Sequence, residues 1–325
     1  KKSVAQSGQK CKQKGANMKP VVSVIMLSYN TANYIKDAVA SVLEQSFPDF
    51  ELLVLDDGST DHTEEVMAQF HDSRIRYIRS DQNRGIPFMR NRGLELARGK
   101  YLAILDSDDL APPYRLKEQV EYMDQNLQTG VVAGDYFSFG ARSFYCQTYK
   151  GNENIQYRFL FRCPIPNPAA MVRRSVVDRY GIRYDTSFPV CTDYKFWIEL
   201  LGRTEFANLG GKPYLFYRRD HKESITTETK KADKIQLRDQ AVNQIRRCFF
   251  ERMGLELSEE DYRLFTRFYS YRQQSVTGQE FFRLTEVMED LKVQGRKVLR
   301  CGSLWEEILD GWLEKACDIV LQRDL

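Results

Sequence analysis

The chain has 325 residues, 42% of them apolar, with seven cysteines, three histidines and a formal net charge of +3. That length allows one large domain or two moderate ones with ordinary cores, and no apolar run reaches the roughly 18 residues of a membrane-spanning helix. With no secretory leader pattern, no C-x-x-C pair and scattered cysteines in odd number, the expected setting is reducing and cytoplasmic, without a disulfide framework or zinc site.

The basicity is local. Residues 1–20 hold Lys1, Lys2, Lys10, Lys12, Lys14 and Lys19 and no acid, leaving 42 basic against 45 acidic residues in the body. That balance argues against a nucleic-acid partner. Residues 1–17 are polar and aperiodic, so a disordered basic tail is expected there, one that anionic lipid would attract.

From Val21 a supersecondary rhythm repeats. Val21–Ser28 is a continuous apolar run, as in a strand covered on both faces. Tyr34–Gln45 carries a helical stripe. Strands are predicted over Phe50–Leu55, Ile75–Ile78 and Tyr101–Leu105, with helices over Asp61–Phe70 and Pro87–Ala97 between them. This is the pattern of βαβ units in an α/β, mostly parallel sheet with right-handed crossovers. Ligands gather at the carboxyl ends of such strands. There the chain places Ser28-Tyr29-Asn30, then Asp56-Asp57-Gly58-Ser59-Thr60-Asp61, then Asp106-Ser107-Asp108-Asp109. Hard cations take carboxylate and phosphate oxygens, so the last cluster fits a metal holding a phosphorylated ligand; taken alone it equally fits a turn with a helix cap. Asp57 is placed to accept hydrogen bonds from a ligand such as a nucleobase imide. No glycine-rich phosphate loop occurs, so any bound phosphate depends on metal and side chains, and the Arg90 guanidinium suits phosphate or a base carbonyl.

Val22-Ser-Val-Ile-Met-Leu-Ser-Tyr-Asn30, Asp56-Asp-Gly-Ser-Thr-Asp61, Arg90-Asn-Arg-Gly-Leu94 and Leu105-Asp-Ser-Asp-Asp109 together resemble glycosyltransferase family 2, over about Val21 to Thr226. The resemblance implies the Rossmann-like GT-A fold and inverting transfer of a sugar, hexosyl or N-acetylhexosaminyl, from a nucleotide diphosphate, with UDP expected. It implies Asp57 on the base with Tyr29 packed near it, Arg90 beside the nucleotide, Asp106 near ribose or metal, and Asp108 as principal ligand of Mn²⁺ or Mg²⁺. Ser28, Asn30 and Ser107 complete the expected donor site, and Asp109 is expected only to cap the turn after it.

Further along, a helix is predicted from Pro112 to Leu127, aromatic-rich strands over Val131–Tyr149, and a strand leading into a helix at Ala169–Ser175. Asp193 opens a helical stripe of Phe196, Trp197, Leu200 and Leu201, so it sits in a first turn. The resemblance implies that it is the general base. Relatives commonly carry Glu-Asp there, whereas this chain has Thr192-Asp193; Asp185 is the fallback. Tyr217-Arg218-Arg219-Asp220-His221-Lys-Glu-Ser224 matches a late family loop, which puts His221 at the metal or diphosphate. The Q-x-x-R-W element of processive relatives is missing, so single additions to a glycan or lipid-linked acceptor are expected, as in bacterial surface polysaccharide or lipooligosaccharide assembly.

The expected organisation is a tail over 1–17, a GT-A domain over 18–228 (nucleotide half 18–110, acceptor half 111–228) and a helical extension over 229–325. The last helix carries Trp305, Ile308, Leu309, Trp312, Leu313, Ala316 and Val320, a stripe read as docking on its own protein, with a peripheral membrane or dimer contact as the alternative. Two other functions share the fold-level signals. A sugar-nucleotide pyrophosphorylase needs a Gly-x-Gly-Thr-Arg loop that is absent, and a non-catalytic nucleotide-sugar-binding module would not need Asp193.

Overall fold

The computed structural model describes residues 19–211, 215–221, 232–269 and 277–321. The expected basic tail, Ser224 and the 222–231 segment lie outside these. In chain order the strands are β1 (Val22–Ser28), β2 (Phe50–Asp56), β3 (Ile75–Arg79), β4 (Tyr101–Asp106), β5 (Thr129–Gly134), β6 (Tyr136–Gly140), β7 (Phe144–Cys146), β8 (Met171–Arg173), β9 (Glu205–Leu209) and β10 (Phe216–Asp220). The helices are α1 (Ile35–Leu43), α2 (Thr63–Met67), α3 (Ile86–Leu96), α4 (Arg115–Gln125), α5 (Asn152–Arg158), α6 (Arg174–Arg179) and α7 (Thr192–Glu199). They are followed by α8 (Ala232–Met253), α9 (Glu259–Phe268), α10 (Gly278–Val298) and α11 (Gly302–Leu321).

Seven strands form a sheet of order β3-β2-β1-β4-β8-β5-β9, and β10-β6-β7 form a second, smaller one. β1, β2, β3 and β4 pair in parallel, as the apolar runs and intervening helices require. The three-residue β8 runs antiparallel to both β4 and β5 and joins this half to the parallel β5–β9 pair. Arg173, buried at the end of β8, gives Nη2 to the carbonyls of Met123 at 2.7 Å and Thr129 at 3.1 Å, and Nη1 to the Tyr101 hydroxyl at 3.3 Å.

Every residue of β2 is buried, which explains its unbroken apolar sequence. Alternation along β1 sends Val24 and Met26 into the core under α1 and Ile25 into the core on the opposite face. The second core continues without a break through α5, α7 and the C-terminal helices. Trp305 is fully buried, edge-on to Tyr157, and donates from its indole to the Leu291 carbonyl at 2.9 Å. Trp312 stacks on Phe161 at 4.5 Å. The described stripe of α11, from Trp305 to Ala316, therefore packs on its own protein, as the docking reading expected. No described helix is long and apolar enough to cross a membrane.

One boundary moved. The helix predicted over Asp61–Phe70 is the shorter Thr63–Met67, and before it the Asp61 carboxylate accepts from the Thr63 N–H and hydroxyl in an Asx turn. Within the helical extension α9 is described to Phe268, with 270–276 outside the described residues, and α10 runs to Val298.

At the amino ends of the strands, buried Glu51 accepts from the Ser23 hydroxyl at 2.6 Å, the Arg98 N–H at 2.8 Å and the Arg76 guanidinium at 3.0 Å. Burial alone would raise its carboxyl; these donors outweigh burial and hold it below the usual range. A folded value below the unfolded one, near about 4.3, means that the ionised acid stabilises the fold at neutral pH and that this contribution fades as pH falls through the folded value. Glu51→Gln should lower unfolding free energy by about 2 kcal/mol at neutral pH. The gap to the native protein should narrow in urea titrations only as the pH is brought below roughly 4.

Candidate active site

The loops after β1 and β2 are tied to each other before they can touch anything else. Asn30 takes a left-handed φ of 54°. Its N–H donates to the Ser59 hydroxyl at 2.9 Å, and its amide oxygen accepts from the Thr60 N–H at 2.8 Å. The Ser28 and Thr31 hydroxyls share a hydrogen bond of 2.7 Å. Gly58, at φ +75°, lets the chain pass so close to Gln82 that a β-carbon would come within 2.8 Å of that backbone. Asp57 is buried and accepts from the N–H groups of Arg84 at 2.7 Å and Gly85 at 2.8 Å. Each of its oxygens keeps a second lone pair. Tyr29 stands exposed beside this pair of loops.

The acidic cluster closes β4. Ligand oxygens of Asp106, Asp108 and Asp109 lie within 4.8 Å of one another. From the end of β10, His221 brings its Nε2 to 2.8 Å from Asp108 Oδ2, so the structure assembles the pair the sequence singled out. The His221 Nδ1 is buried without a hydrogen-bond partner among the described residues. Asp109 corrects the capping expectation: its buried carboxylate accepts the Arg219 N–H at 2.8 Å and docks β10 on the cluster instead of capping α4. Ser107 is buried between them. Desolvation pushes the Asp106 carboxyl up to about 6, Arg90 opposing and the Asp108 and Asp193 charges reinforcing. Burial, then Asp108 and Asp106, hold Asp109 well above the carboxylate range. The cluster thus presents hard oxygen donors, an imidazole nitrogen and unneutralised negative charge, the donor chemistry of a Mn²⁺ or Mg²⁺ site.

Across the cluster, Asp193 sits in the first turn of α7, which Cys191 enters with a left-handed φ of 56°. Arg90, on α3, bridges the two sides. It lies 3.9 Å from Asp106, donates to Thr192 Oγ1 at 3.3 Å and rests on the Tyr184 ring at 5.2 Å, while Tyr184 stacks on Phe196 at 4.1 Å. Thr192, the departure from the family's Glu-Asp pattern, is here the acceptor for Arg90. Asp185 caps a turn by accepting from the Ser187 N–H and hydroxyl, so the fallback base is structural. His62 is exposed against Glu65.

Three contributors escaped the sequence reading. Arg115 is fully buried and donates to the carbonyls of Ile104 at 2.7 Å and Ala170 at 3.4 Å, and to Gln119 at 3.1 Å. Burial brings its guanidinium down to about 9, Asp109 and Asp106 opposing. Tyr184 and Arg219 are the others. Arginine in a charged helical stretch ordinarily faces water, and no pattern distinguishes the one turned inward.

Residues 23–181 match the model of glycosyl transferase family 2. An uncharacterized glycosyltransferase of Methanocaldococcus jannaschii is 30% identical over 222 residues, 66% of this chain and 76% of that protein. The chain belongs to glycosyltransferase family 2. A further relative, the UDP-Glc:alpha-D-GlcNAc-diphosphoundecaprenol beta-1,3-glucosyltransferase WfgD of Escherichia coli, is 31% identical over 183 residues, 56% of this chain and 70% of that one. In fold the transferase matches S. aureus TarS 1-349 in complex with UDP-GlcNAc, with a TM-score of 0.61, 19% identity and coverage of 94% and 89% of the two chains. The GT-A architecture and the glycosyltransferase class expected from the motifs are thereby established.

Since Arg90 both donates to Thr192 and stacks on Tyr184, a lysine cannot replace it. Arg90→Lys should melt within a few degrees of the native transferase yet slow sugar transfer about tenfold; circular dichroism and steady-state rates check the two halves of that statement.

Proposed function

We propose that this transferase is an inverting, non-processive, metal-dependent enzyme that moves a sugar from a UDP-sugar to a hydroxyl of a glycan or lipid-linked saccharide. The observation that carries the reading is the gathering of Asp193 near the Asp106–Asp108–His221 group, with Arg90 linking Asp106 to Thr192, the residue before Asp193. WfgD is named for a UDP-Glc donor and a diphosphoundecaprenol-linked acceptor; that supports the donor and acceptor classes here and a site of action beside a membrane.

In this mechanism Asp57 and Tyr29 hold the base, with Ser28 and Asn30 shaping the loop that presents them. Arg90 and Asp106 fix the sugar–phosphate end, beside Ser107. Asp193 takes the proton of the acceptor hydroxyl as its oxygen attacks the anomeric carbon, and the bond from that carbon to the diphosphate oxygen breaks on the opposite face. The products are the inverted glycoside, UDP and a protonated Asp193. No protein nucleophile is required. Asp108, with Asp106 and His221, would hold Mn²⁺ or Mg²⁺. Such an ion, when bound, supplies positive charge to the departing diphosphate.

Asp193→Asn should cut transfer by about 10²–10⁴-fold with UDP-sugar affinity retained, and the native product should show the anomeric configuration opposite to the donor's by NMR. Unchanged transfer in that variant would remove Asp193 from the base role. Asp108→Ala should abolish Mn²⁺-dependent UDP-sugar binding in calorimetry, and EDTA should do the same to the native protein; binding that survives both would exclude this metal site. Turnover of sugar phosphate with nucleotide triphosphate would instead identify a pyrophosphorylase.

A further inference from the structure

We propose that Arg219 is a positioning residue for the Asp108–His221 pair, an inference that rests on the cation-binding role of that pair. Arg219 stands two residues before His221, and three of its N–H groups are engaged by the elements around the cluster. Its backbone N–H donates to Asp109 Oδ1 at 2.8 Å, its Nε to the Asp108 carbonyl at 3.1 Å, and its Nη2 to Asp37 Oδ2 at 3.2 Å. Phe139 lies 5.1 Å from the guanidinium carbon and Tyr34 5.3 Å, so aromatic rings hold the fork. The Tyr34 ring in turn packs on the His221 ring, their centroids 4.6 Å apart, and His221 Nε2 reaches Asp108 at 2.8 Å.

These contacts form a closed circuit. Arg219 touches Asp108, Asp108 touches His221, His221 touches Tyr34, and Tyr34 returns to Arg219. The members come from three separate segments: the loop into α1, the turn after β4 and the end of β10. Chain connectivity alone therefore does not set the spacing of Asp108 and His221; the circuit does. Because Asp37 is largely exposed, its ion pair with Arg219 contributes little energy, and the function of the arrangement is geometric. Only arginine supplies an Nε–H for the Asp108 carbonyl together with a flat face for the rings. Groups that orient a ligand residue from behind govern metal affinity without touching the metal.

The test is a titration of nucleotide-free, full-length protein with Mn²⁺, free ion being read by electron paramagnetic resonance, alongside calorimetry of UDP in EDTA and thermal melts. Arg219→Met keeps the apolar stem and should weaken Mn²⁺ binding about tenfold, with UDP affinity in EDTA held within about twofold. Arg219→Lys should fall between the two. Native-like Mn²⁺ affinity in Arg219→Met would overturn the proposal, and if that variant does not fold, the same result in Arg219→Lys would do so. An equal loss of UDP affinity in EDTA would also overturn it, by making Arg219 a direct donor contact. Native protein that binds no Mn²⁺ would refute the cation site itself, a result distinct from native binding that the variants leave unchanged.

Discussion

The candidate active site is organised around a concentration of like charge. Asp106, Asp108 and Asp109 converge at the end of one strand and feel Asp193 across the crevice. Carboxylates so close in a partly dry environment repel one another unless cations are fixed nearby. The fold answers with three arginines from three elements. Arg90 of α3 stands over Asp106, Arg115 of α4 lies buried beneath the cluster, and Arg219 of β10 binds Asp109 and the Asp108 backbone. None of them makes a direct charge pair with Asp108, the carboxylate that His221 faces. What remains unneutralised is therefore directed toward a ligand.

Much of this was legible in the sequence because it comes from periodicity. The buried strands β1, β2 and β4 could be read as apolar runs, and their polar termini marked the crevice. Asp193 was placed by the stripe of α7 behind it, and His221 by its motif. The tertiary roles were not legible. Asn30 and Asp57 serve first as braces between loops, since their partners Thr60, Arg84 and Gly85 are set by the meeting of two turns. The use of Thr192 depends on Arg90, 102 residues earlier. Arg115 resembles any exposed helical arginine until the carbonyls of Ile104 and Ala170 are seen to face it.

The C-terminal helices illustrate the same limit. Their stripes announced burial but not its object. The object is the core that also holds α5 and α7: Phe161 meets Trp312, and Tyr157 meets Trp305. The helix bearing Asp193 thus packs into a core that those helices help to fill, so a lesion far from the crevice can disturb the tilt of α7.

The three-residue β8 is the narrowest join in the main sheet, with few ladder bonds to either neighbour. Buried guanidinium groups rivet it at both ends: Arg173 clasps carbonyls beyond one end, and Arg115 ties the carbonyl of Ala170, just before the strand, to that of Ile104 on β4. In mechanical terms the seam is reinforced where it would otherwise shear. The part of the sheet that carries Asp106 is thereby braced against sliding along β8.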